Sequence, residues 1–236
     1  FIWKTFDDYL KDVEKWAIEC KRLLADNGTL FWYGGSKKIA YAQIIFDNHF
    51  NLINNITWNK GSFMGLEESE SLRSFAPCSE RILMYSNETY NLTKCIFMIR
   101  DYIREEIKKA KGKIILKHIN EALGTATNGG GVASACLSLD KAEPTMITKQ
   151  MYQKLQKWCS PYLRKEYEDL RKEYEDLRRP FDNVFNLQEV LNFSNEAVKV
   201  GNKYDHETVK PETLTRALIL TCSRKDDLVI VPFAGS

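Results

Sequence analysis

Asp205–Ser236, DHETVKPETLTRALILTCSRKDDLVIVPFAGS, is the stretch from which the rest of the chain is read. Pro211–Ser223 is helical by pattern, with Leu214, Leu218, Ile219 and Cys222 on one side. An acidic turn follows, and then Leu228–Val231, a continuous apolar run that leads straight into Pro232, Phe233, Ala234, Gly235 and Ser236. Such a run predicts a strand buried on both faces. A small-residue turn at its carboxyl end lets a nucleotide-like ligand approach the backbone with no Cβ in the way. Taken alone, a strand followed by a glycine turn is more often plain structure than a site.

Outward from this stretch the alternation of helix and strand continues. Phe6, Tyr9, Leu10, Val13, Ala17, Cys20 and Leu24 recur at helical spacing between Thr5 and Leu24, with Thr5 and Asp8 resembling a capping box and Asn27-Gly28 as the stop. Thr29–Tyr33 (TLFWY) reads as a buried strand that passes through Gly34-Gly35-Ser36 into an amphipathic stretch, Lys37–Asn48. Asn55–Trp58 and Arg81–Tyr85 (RILMY) predict two further strands. The segment between them, GSFMGLEESESLRSFAPCSE, is too long for a tight hairpin.

From Asp101 the character changes. A basic helix, YIREEIKKAKGKIILKHINEALG, is expected to end in a glycine-rich break, TATNGGG, before a short apolar piece, VASACLSL. Further on, Leu163–Arg178 repeats the unit LRKEYED, which sets Leu163, Tyr167, Leu170, Tyr174 and Leu177 on one face before Pro180. Two such units are too few for a coiled coil, so this helix reads as a packing strut.

Composition narrows the class. With 236 residues, 44% of them hydrophobic and 12% aromatic, the chain can bury a core of one large domain or of a domain with an insertion. Its 34 basic residues nearly cancel 32 acidic ones, leaving a net charge of +2, so any nucleic-acid footprint must be a local patch. The scattered Cys20, Cys78, Cys95, Cys136, Cys159 and Cys222 form no C-x-x-C pair and have no histidine at zinc-finger spacing, which predicts reduced thiols and no metal. No apolar run approaches bilayer length and the first residues lack the form of a signal peptide, so a cytoplasmic protein is expected and the sequons at Asn55, Asn87 and Asn91 read as accidental.

The whole of Asp205–Ser236 resembles the S-adenosylmethionine-dependent amino-methyltransferases that modify adenine N6 or cytosine N4 in DNA. In that family a His-x-Thr-x-Lys-Pro segment precedes a helix, an acidic turn and a strand ending in Asp-Pro-Phe-x-Gly-Ser. His206, Thr208, Lys210, Pro211 and Pro232–Ser236 stand at the matching positions, and Val231 stands where the family carries its acidic residue. That departure removes a charge expected to contact the cofactor's amino group or to organise its loop. The N-terminal block fits as well, since in the family a catalytic Asp-Pro-Pro-Tyr or Ser-Pro-Pro-Tyr is followed by a helix and then a Gly-Thr-aromatic strand such as Gly28–Tyr33. The element order resembles the permuted class with the cofactor motif C-terminal, and the Asn-Gly-Gly-Gly and LRKEYED segments are similar to those of phage- and prophage-type DNA methylases.

The resemblance implies an α/β fold, a Rossmann-like doubly wound methyltransferase sheet with an inserted, mainly helical target-recognition region. It divides the chain into a catalytic half over 1–98, a recognition region over 99–183 and a cofactor half over 184–236. S-adenosylmethionine is the implied cofactor, held by Thr208, Lys210, Pro211, Pro232, Phe233, Ala234, Gly235 and Ser236, with Lys210 and the Thr208 hydroxyl on the carboxylate of its methionine moiety. Lys60, Arg73, Lys113, Lys117, Asn128, Gly129 and Gly130 are the expected DNA contacts, against the bland alternative of ordinary exposed residues. The sequence contains neither form of the catalytic tetrapeptide, whose side chain and proline carbonyl accept hydrogen bonds from the flipped base's amino group. It is expected just before Phe1, with the cofactor loop cut at Ser236 and the chain inactive as it stands.

Double-stranded DNA is the implied partner, in a prokaryotic cell or a phage-infected host. A second copy of the chain and a companion restriction nuclease stay open as further partners, and no membrane is expected. Two other readings remain: a non-catalytic DNA-binding remnant of the same family, motivated by Val231 and the absent tetrapeptide, and an unrelated nucleotide-binding α/β protein, which has no G-x-x-x-x-G-K-S/T or G-x-G-x-x-G sequence to support it.

Overall fold

The computed structural model describes residues 3–61, 73, 75, 77–87, 92–194 and 209–233. It divides into two compact units, Phe1–Tyr90 with Pro180–Ser236, and Asn91–Arg179.

The first unit is a mixed four-stranded sheet of order β1-β3-β2-β4, with β1 at Thr29–Gly35, β2 at Phe50–Asn59, β3 at Ser79–Asn87 and β4 at Val190–Asn192. β1 and β2 run antiparallel to β3, and β4 runs parallel to β2. Both faces are covered, which is why β3 reads RILMY without polar alternation. Leu83 and Tyr85 pack with Val13 and Ala17 of α1 (Phe6–Leu23) and Ala42 and Phe46 of α2 (Ile39–Asp47). Ile82 and Met84 pack on the other side with Trp58, Leu191, and Leu214 and Leu218 of α8 (Glu212–Cys222). The expected capping residue holds: Thr5 Oγ1 accepts from the Asp8 backbone N–H at 3.1 Å.

The second unit is helical, with α3 (Leu92–Lys111), α4 (Leu116–Leu123), α5 (Val132–Leu137), α6 (Lys149–Cys159) and α7 (Tyr167–Leu177). Ile99, Ile103 and Ile107 supply α3's buried stripe, facing Ile119, Leu123, Leu137, Tyr152, Leu155 and Leu170. Gly112, at φ 76°, breaks the long basic helix expected after Asp101 into α3 and α4. The repeated heptads form a packed helix only from Tyr167, because Leu163 has φ 58° and α6 ends in the Ser160-Pro161 turn.

One expectation is corrected. Leu228–Val231 pair with no strand among the described residues, and these side chains are 87, 45, 50 and 61% exposed. An apolar run becomes a strand only where a neighbouring backbone accepts its ladder. Among the described residues no helix is long and apolar enough to cross a membrane.

Candidate functional site

The strand directions bring the carboxyl ends of β1, β2 and β4 to the edge where β3 begins. Open α/β sheets bind ligands outside such carboxyl ends. Here Gly35 and Trp58 flank Glu80 in register, and Asn59 pairs with Asn192, with their side chains hydrogen-bonded at 2.8 Å.

Glu80 is the centre of this edge. Its Oε1 accepts from Lys60 Nζ at 3.0 Å and its Oε2 from Lys210 Nζ at 2.8 Å. Both ammonium groups lie beside the Trp58 ring, 5.6 and 5.5 Å from its centroid, and Lys210 is 5.6 Å from the Tyr33 centroid. Local structure places each partner. Lys60 leaves β2 with its N–H on the Cys78 carbonyl at 2.8 Å, and Gly61 turns away at φ 80° with its N–H on Asn59 Oδ1. Lys210 directly precedes Pro211, the buried residue at the start of α8, whose Leu214 and Leu218 pack against the sheet. Trp58 is fixed through Nε1, which donates to the Phe193 carbonyl at 2.8 Å.

The electrostatics follow from this packing. Burial alone would raise Glu80, but the bonds and charges of Lys210 and then Lys60 outweigh it and hold the carboxyl below the usual glutamate range. Two lysines thus share the Glu80 carboxylate at the edge where β1, β2 and β4 end. The Tyr33 phenol is pushed up to about 12 by burial, against a hydrogen bond with Thr215 and with the nearby Glu80 charge adding to the rise.

Phe233 sits on the other side of β1. Its ring meets Trp16 edge-on at 4.8 Å between centroids and Trp32 at 6.0 Å. Successive strand residues face opposite ways, so Trp32 packs with the α1/α2 face while Tyr33 packs with the α8 face. Lys210 and Phe233, both assigned to the cofactor by resemblance, therefore flank β1 from opposite sides.

In the helical unit, Lys113 and Lys117 are exposed, as are Asn128, Gly129 and Gly130 in the turn between α4 and α5. Asn120 organises that turn from inside. Its buried Oδ1 accepts from the Ala133 N–H at 2.8 Å and from the Thr125 hydroxyl at 2.9 Å. Gly131 is required beside it, since a Cβ there would lie 2.2 Å from the Ala126 carbonyl oxygen and 2.4 Å from the Asn120 side chain.

Among the expected residues, the structure brings Lys60 and Lys210 onto one carboxylate although the sequence placed them with different ligands. Arg73 is exposed, Pro211 buried and Pro232 exposed. His206, Thr208, Ala234, Gly235 and Ser236 lie outside the described residues. Glu80 and Asn120 were missed. The available signal for Glu80 was a lone carboxylate just before the apolar run Ile82–Tyr85; Asn120 offered only a polar position on the buried stripe of a helix.

The chain matches the family described as DNA methylase (N6/N4 methyltransferases) over residues 2–236. It is also similar to a type II methyltransferase, M.HpaI, of Haemophilus parainfluenzae, with 30% identity over 96 residues. That similarity covers 38% of this chain and 29% of the relative, so the matched part spans under a third of the relative's length.

Proposed function

This chain belongs to the DNA methylase family, and from that premise we propose that its protein transfers a methyl group from S-adenosylmethionine to an exocyclic amino group in duplex DNA, with adenine N6 as the acceptor and the target base flipped out of the helix. The family match across residues 2–236 is the observation that carries the reading. The sheet edge around Glu80 supports it, because two lysine ammonium groups lie at the strand ends where an α/β sheet binds ligands.

The residues present suit the cofactor. Lys210 offers an ammonium group to the carboxylate of its methionine moiety from a half-buried position, where a charge-assisted hydrogen bond is stronger than in open water. Phe233 supplies an aromatic surface on the opposite side of β1. When bound, S-adenosylmethionine supplies the methyl group. The chain's own residues hold and orient it at the sheet edge, with Thr208, Pro211, Pro232, Ala234, Gly235 and Ser236 completing the contacts that the resemblance assigns.

DNA is engaged through the helical unit, as the target-recognition region. Lys113 and Lys117 meet backbone phosphates, and the open Asn128-Gly129-Gly130 turn lets main-chain N–H groups do the same. The units at 1–90 with 180–236 and at 91–179 thus take the methyl-transfer and recognition roles.

Nucleoside mass spectrometry on duplex DNA incubated with the full-length protein and S-adenosylmethionine tests the proposal. N6-methyladenine is the expected product. N4-methylcytosine would keep the reaction and change the base, while no modified base would favour a non-catalytic DNA-binding protein, the reading to which Val231 lends support.

A further inference from the structure

We infer that Glu80 is a positioning residue that draws Lys60 and Lys210 into one cationic site for the carboxylate of S-adenosylmethionine, so that Lys60 belongs to the cofactor and not to the DNA contacts. The inference rests on the proposed function, which gives Lys210 to the cofactor.

The geometry is that of a bridge. Each oxygen of Glu80 takes a different lysine, at 3.0 and 2.8 Å, and both ammonium groups stand beside the same Trp58 ring. Two like charges so close in a partly desolvated place repel each other, and a flexible four-carbon stem would carry either into water. The carboxylate removes that repulsion. Its own position is set by the strand, since Glu80 is in register with Gly35 on one side and Trp58 on the other.

The bridge does not exhaust the cluster. The Lys210 ammonium carries three donors, of which Glu80 takes one. A ligand carboxylate can therefore bind to Lys210 with Glu80 still in place. Lys60 suits this role better than a phosphate contact. Its side chain is 15% exposed, whereas Lys113 and Lys117 lie open to solvent.

Calorimetric binding of S-adenosylmethionine and of its decarboxylated analogue to the full-length protein, in the wild type, Glu80→Ala, Glu80→Gln, Lys60→Ala and Lys210→Ala forms, tests the inference. For the intact cofactor, each Glu80 variant and Lys60→Ala should lose about tenfold in affinity, the scale of one charge-assisted bond. For the decarboxylated analogue, the same variants should bind as the wild type does. Equal losses for both ligands would mean general damage to the sheet edge and would overturn the positioning role. Cofactor affinity kept in the Glu80 and Lys60 variants, but lost in Lys210→Ala, would overturn the inference and leave the proposed function standing. A Lys60→Ala protein with unchanged cofactor affinity and a shallower salt dependence of DNA binding would return Lys60 to the DNA. Unchanged affinity in Lys210→Ala would remove both the inference and the cofactor role it builds on.

Discussion

Asn120 Oδ1 lies 2.8 Å from the backbone nitrogen of Ala133, joining the middle of α4 to the first turn of α5 across thirteen residues of sequence. The same oxygen accepts from Thr125, whose N–H reaches the Asn120 carbonyl at 2.9 Å, so one buried amide sets the path of the glycine-rich turn. Replacing it with alanine leaves the buried Ala133 N–H without its acceptor and the Thr125 hydroxyl with only the longer contact to the residue 120 carbonyl, 3.5 Å in the wild type. Asn120→Ala should therefore lower stability by about 1–3 kcal/mol, read from urea unfolding. Thr125→Ala removes one partner from a part-buried site and should cost less. Equal stabilities for Asn120→Ala and the wild type would show that the turn is held by its backbone alone.

Glu80 makes the stability of the sheet unit sensitive to acid. Its carboxyl is held below the usual range in the folded protein, so it contributes stability above the unfolded value and loses it as pH falls through the folded one. The unfolded value is about 4.3. The stability difference between wild type and Glu80→Gln should accordingly be constant near neutral pH and shrink progressively below about pH 4.3. Urea midpoints of both proteins between neutral and acid pH give the comparison, and a difference that ignores pH would show that the lysines do not stabilise the ionised form.

The sheet was legible because its signals are local. Leu30–Tyr33 and Ile82–Tyr85 are runs of aliphatic and aromatic residues, and the structure makes them parts of the paired strands β1 and β3. Thr5 was readable as a cap because an N-cap depends only on the residues that follow it. Leu228–Val231 carried an equally strong pattern and has no ladder among the described residues, since hydrophobicity does not specify a neighbour. Glu80 was invisible for a related reason. Its meaning comes from Lys60, twenty residues before it, and Lys210, 130 after it, and no periodicity links the three. Asn120 looked like any polar helix residue until Gly131 and Ala133 were brought against it.

Phe233 gives a test of the face opposite to Glu80. Its ring is half exposed and meets Trp16 and Trp32 at 4.8 and 6.0 Å. Phe233→Ala loses two aromatic contacts and should cost about 0.5–1.5 kcal/mol of stability. Two tryptophans change surroundings, so intrinsic fluorescence should shift in the folded variant. If Phe233 also lines the cofactor, as the resemblance implies, saturating S-adenosylmethionine should raise the melting temperature of the wild type more than that of the variant. An equal rise in both would separate Phe233 from cofactor binding and leave it a purely structural contact.

Lys113 and Lys117 separate phosphate contacts from base reading. Both are exposed, one in the turn after α3 and the other in α4, on the amino-terminal side of the glycine-rich turn. A cation that meets a phosphate contributes to affinity by releasing counterions, whatever the local sequence. Lys113→Ala and Lys117→Ala should each weaken binding to cognate and non-cognate duplexes alike, and each should reduce the slope of log affinity against log salt by about one. Fluorescence anisotropy across a salt series on both duplexes reads the two effects together. A loss confined to one duplex sequence, with the slope unchanged, would instead place that lysine on a base edge and make it a determinant of the recognised site.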